Sequence, residues 1–201
     1  MKRHPILLKC LTFHRRDDRG MAPSSVPPIT IFSTTSKLLE VPATSRVAAV
    51  DNREIVWYDT IMKTDSYTRT EYQGFQQAYD FFNRELFDRS LPQVLVTLQR
   101  HAKSRGYFSP ERFNGRIDET AVHELALNPD AFTGRTDEMI LSTLAHEMAH
   151  VWQQTHGKPP RRGYHDRQWA AKMREIGLQP SSTGEAGGNE TGQTVSHYII
   201  P

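Results

Sequence analysis

Residues Thr136 to Thr155 set the strictest condition on the fold. Ile140, Leu141, Leu144, Met148, Val151 and Trp152 recur at three- and four-residue steps, which lays one apolar stripe along an amphipathic helix. Thr136 stands where a helix N-cap belongs. Asp137 and Glu138 put negative charge in the first turn, where the helix dipole favours it.

The same helix carries His146-Glu147-Met148-Ala149-His150. Residues four apart stack on one helix face, about 5 to 6 Å apart at Cβ. The imidazoles of His146 and His150 can therefore reach one zinc ion at roughly 2.0 to 2.1 Å each. Glu147, one position round, reaches a water at the ion, as the general base of a metal hydrolase must. A chance match on a solvated face is the bland alternative; the cap and the apolar back of the helix argue against it.

Two histidines leave a tetrahedral shell short of a protein ligand, and three residues compete to supply it. His156 lies where a metzincin places its third histidine, but Gln153 replaces the glycine that pattern needs, so the helix should run on and turn His156 away. His165 follows the loop 157–164 and is expected in the first turn of a second helix whose buried face is Trp169, Met173 and Ile176. His197, near the C terminus, is the most distant candidate. His165 is the best placed of the three.

His146-Glu147-Met148-Ala149-His150, followed fifteen residues later by His165 in Tyr164-His165-Asp166-Arg167-Gln168-Trp169, resembles the SprT-like zinc metallopeptidase family, which includes proteases that clear proteins crosslinked to DNA. The likeness extends upstream through Val122 to Pro129 and into an aromatic helix near residue 70, covering roughly residues 68 to 180. It implies His146, His150 and His165 as ligands of one Zn2+, Glu147 as the catalytic residue, and a protein substrate.

Composition narrows the class further. A chain of 201 residues suffices for one domain with some surplus. A hydrophobic content of 37% and a mean hydropathy of -0.62 suggest that part of it is unpacked. Cys10 is the single cysteine, which excludes an internal disulfide and the four-cysteine zinc ribbon that some SprT-like proteins carry. The run Ile6, Leu7, Leu8 is too short for a signal peptide core and is broken by Lys9, and no stretch approaches the roughly 20 apolar residues of a membrane span. A soluble, cytoplasmic protein is expected.

In chain order, residues 1–65 have linker-like composition and are expected to form a poorly structured extension, with Met21 a second candidate start. Thr70 with Gln73 resembles a capping box opening a helix through Tyr72, Phe75, Tyr79, Phe82 and Leu86. This aromatic stripe is core rather than a base-stacking surface at such spacing. Strands are expected at 93–100, around 106–108 and at 122–127, forming a small, mostly antiparallel sheet. The expected class is therefore α+β and zincin-like, with the H-E-x-x-H helix and its flanking helices packed on that sheet over residues 66–180. Gly177 should cap the last helix. Residues 181–201 should form a glycine-rich loop, reaching over the cleft, and a terminal strand at 195–200 that adds to the sheet edge. The apolar run before Pro201 suggests a shortened gene.

Lys158, Arg161, Arg162 and Arg167, extended by Arg100, Lys103 and Arg105, face few acids. The ordinary reading is a solvated basic surface. The functional one is a phosphate-contacting rim giving weak, salt-sensitive, sequence-independent DNA binding. Three functions compete: a zinc endopeptidase acting on DNA-associated proteins, a nucleic-acid-binding module with a structural zinc, and a zinc hydrolase of a non-peptide substrate. The residue that steadies the oxyanion is unassigned among Tyr107, Arg161, Tyr164 and His197.

Overall fold

The structure, a computed structural model, describes residues 66–115 and 119–201; the expected N-terminal extension lies outside them. Helix α1 (Tyr67–Leu86) buries Phe75, Tyr79, Phe82 and Leu86 as their spacing requires. It begins a turn earlier than the Thr70 pattern suggests, because the Thr70 N–H is already bonded to the carbonyl of Ser66 at 3.0 Å. Tyr72 falls off the buried stripe and is 39% exposed. Past Leu86 the chain turns back through Asp88 and Arg89, both at positive φ. Asn83 clamps this turn, donating to the Leu91 carbonyl and accepting from its N–H at 3.0 and 3.1 Å.

Strands β1 (Val94–Leu98), β2 (Gly106–Asn114) and β3 (Ala121–Leu127) form one sheet in the order β1-β3-β2. β3 pairs parallel with β1 and antiparallel with β2. The sheet is thus mixed, where a mostly antiparallel one was expected. Alternation of apolar residues tells a strand which face to bury, not which neighbour to take: β2 goes to the far edge and β3 returns between the other two. Its central position explains why Leu125, Ala126 and Leu127 are wholly buried.

A 3-10 turn at Pro129–Ala131, capped by Asn128, leads into helix α2 (Asp137–His156). Thr136 caps it as expected, accepting from the Met139 N–H at 3.3 Å, and the helix does run through Gln153 to His156. Helix α3 (Arg167–Glu175) follows, with Asp166 as N-cap. Gly177, at φ 94°, closes it by donating to the Arg174 carbonyl.

β4 (Leu178–Ser181) then pairs antiparallel with β5 (Ser196–Ile199) in a separate two-stranded sheet. The terminal strand therefore joins β4 instead of the edge of the larger sheet. One core unites these parts: Trp169, Met173 and Leu178 pack with Leu144, Met148, Phe75 and Leu125, and Val195 enters it from the hairpin. No helix among the described residues is long and apolar enough to cross a membrane.

Candidate metal centre

Two turns of α2 present His146 and His150 on one face, their ring centroids 5.4 Å apart. The third ring comes from the loop before α3. Gln153, which is buried, extends its amide to the Asp166 carboxylate at 2.8 Å, and the same carboxylate caps α3 at the Trp169 N–H. This fastens the start of α3 to the side of α2. His165 immediately precedes the cap, so it sits in the extended segment before the helix instead of in its first turn. A two-way backbone bridge to Gly192 holds it there, at 2.8 and 2.9 Å. Its ring centroid is 5.4 Å from that of His146 and 4.9 Å from that of His150.

The ligand nitrogens of His146, His150 and His165 all lie within 4.8 Å of one another. Nitrogens bound at about 2.0 Å to one tetrahedral ion stand about 3.3 Å apart, so slight contraction of this cluster would seat a metal ion. The rings are also in the right protonation state. Burial holds His146 well below its ordinary pKa, with His197, His150 and His165 adding to the effect. Burial and then His165 hold His150 down to about 3, and burial lowers His165 against the opposing pull of the Gly192 carbonyl and Asp166. All three are neutral at pH 7, with lone pairs free for a cation. His156 takes no part: it bonds the Ser90 carbonyl at 2.9 Å from an exposed position.

Trp169 forms the floor. Its indole stacks on His150 at 5.2 Å and 18°, and lies edge-on to His146 and His165 at 4.8 and 4.4 Å. The sequence marks Trp169 as core; its contact with all three imidazoles follows only from the position of α3.

Glu147 is 5% exposed, and burial pushes its carboxyl up to about 8. It and the three histidines line a cleft of about 870 Å³ between β2, the loop 159–164 and the segment 193–197. Gly106 makes room for it: a Cβ there would lie 2.9 Å from the Ala126 carbonyl and 3.2 Å from Glu147 Oε1. Ser182, Thr183 and Gln193, at the two ends of the glycine-rich segment, line the cleft.

The basic residues divide. Arg161, Arg162, Lys103 and Arg105 line the cleft, where Glu147 is the only acidic side chain among the described residues. Lys158 and Arg167 are exposed outside that lining, and Arg100 pairs with Asp130 at 3.3 Å. Of the candidates for oxyanion stabilisation, Tyr107 donates to the buried Glu124 at 3.2 Å, Arg161 lies over the Tyr164 ring at 5.0 Å, and His197 bonds His146 and Ser142. Glu124 is a buried carboxylate that sequence reasoning passed over; it also accepts from Thr97 at 2.7 Å.

This α+β chain thus brings three imidazoles together beside a buried glutamate, in a His-rich site that could hold a metal ion. The SprT-like family model matches residues 75–197, more than half the sequence, and the chain belongs to that family. It is also similar to an uncharacterized protein encoded in the mucB 3' region of Salmonella typhimurium, with 47% identity over 58 residues, which span 29% of this chain and 78% of that protein. No solved structure matches.

Proposed function

We propose that the protein is a zinc-dependent metalloprotease. The observation that carries this reading is the convergence of His146, His150 and His165 next to Glu147 on the wall of an open cleft. Three neutral imidazoles suit zinc. A structural zinc has four protein ligands, whereas a catalytic one keeps a position open; among the described residues only these three groups converge.

Zinc bound there would lower the pKa of a water to about 7 and polarise a substrate carbonyl. Glu147 does the proton work. Its carboxyl keeps a proton when buried alone, and a divalent cation nearby favours the ionised form. As the carboxylate it accepts a proton from the attacking water, and as the acid it returns that proton to the leaving amine. Trp169 and the core behind it exclude water from the back of the imidazoles.

The substrate reading rests on the family and on the cleft's charge. Lys103, Arg105, Arg161 and Arg162 favour a protein carried on, or crosslinked to, DNA, with the phosphates at the cleft edge. The same charges keep a second reading in play, a nucleic-acid-binding module in which hydrolysis plays no part.

One set of assays separates them. Bound metal is measured, then casein and a DNA-crosslinked protein are offered with and without single-stranded DNA. Glu147→Gln should retain its metal and lose cleavage by about 10²- to 10⁴-fold. A fully active Glu147→Gln protein ends the protease reading. Salt-dependent DNA binding without cleavage of either substrate supports the second.

A further inference from the structure

The ring of His197 stands against that of His146, Nδ1 to Nδ1 at 3.0 Å. Two imidazole nitrogens at that distance share one proton: with none, two lone pairs collide, and with two, both N–H groups do. The other end of the chain of contacts decides which ring carries it. His197 Nε2 is 3.0 Å from Ser142 Oγ, and the Ser142 hydroxyl is 2.9 Å from the Met139 carbonyl. A carbonyl only accepts, so the single hydroxyl proton of Ser142 goes to Met139, and its oxygen accepts from His197 Nε2–H. His197 is then left with a bare Nδ1, which accepts the proton of His146 Nδ1–H. By elimination the lone pair of His146 lies on Nε2.

We propose that His197 is a positioning residue: it fixes His146 in the Nδ1–H tautomer and so aims Nε2 at the metal, with Ser142 and the Met139 carbonyl anchoring it from behind. The inference rests on the metal-centre reading above. His165 is set in the same way, its Nδ1 lying 3.2 Å from the Gly192 carbonyl, which can only accept. Two of three ligand rings are thus oriented by one C-terminal segment. Its register explains the aim: Val195, His197 and Ile199 share one strand face. Val195 is in the core and Ile199 packs against it, so the residue between them is turned onto the start of α2.

The test measures zinc affinity by competition with a chelator, for the wild type, His197→Leu and His197→Asn, with circular dichroism of each metal-free form as a check on folding. His197→Leu removes the acceptor and should weaken zinc binding about 10- to 100-fold. His197→Asn puts a carbonyl oxygen near the place of Nδ1 and should recover most of the loss. Nitrogen-15 NMR of the wild-type imidazoles reads the same assignment without a variant, and so decides even if His197→Leu fails to fold. His146 should carry its proton on Nδ1 and bind zinc through Nε2, and His197 should be protonated on Nε2. Unchanged affinity in a folded His197→Leu protein, or an Nδ1-protonated or zinc-bound His197, overturns the proposal while leaving the metal centre standing. A wild type that takes up no zinc overturns both.

Discussion

Glu147 and the histidines around it pull the metal-free protein's stability in opposite directions as pH changes. Burial raises the carboxyl from its ordinary 4.5 to about 8. Between those values the unfolded chain is ionised there and the folded one is not, so the folded state holds more protons and stability falls as pH rises, by up to about 1.4 kcal/mol per pH unit. His150 and His197 are held at about 3, each first by burial. Their stabilisation is complete above pH 6.5 and is lost as pH falls towards 3. The melting temperature of the metal-free protein should therefore peak near pH 6.5. Glu147→Gln should abolish the decline between pH 6.5 and 8; a decline that survives in Glu147→Gln melts would contradict the assignment. Of these residues, the H-E-x-x-H spacing made His146, Glu147 and His150 legible, because a helix fixes which side chains are neighbours. His197 was less so: a histidine between Val195 and Ile199 signals an inward ring, but its partner lies 51 positions away.

At the level of elements, helices were read well and strand partners were not. The apolar stripe of α2, its Thr136 cap and its continuation past Gln153 all follow from local chemistry. The parallel pairing of β1 with β3, and the antiparallel pairing of β5 with β4, depend on where distant segments come to rest. Gly106 belongs to this level, since its lack of a side chain matters only because β2 crosses close to α2. Gly106→Val should cost about 1 to 3 kcal/mol in urea unfolding by overpacking. It should also lower kcat more than Gly106→Ala does, since the larger side chain presses on Glu147. Equal stability and turnover in both variants would show that β2 yields without disturbing the carboxylate.

For the whole molecule, the candidate metal site is a meeting point of α2, the loop before α3 and the C-terminal hairpin. An ion that binds only the folded form, at 100 times its dissociation constant, adds about 2.7 kcal/mol. Chelation should therefore lower the melting temperature on the order of 10 °C; an unchanged melt would mean that the three segments hold without it. The indole of Trp169, pressed against all three imidazoles, makes that junction visible to light. The sequence has three tryptophans, Trp57, Trp152 and Trp169. With the first two replaced by phenylalanine, emission from the third would dim as cobalt(II) enters, and the titration curve would give occupancy directly, before any substrate is known.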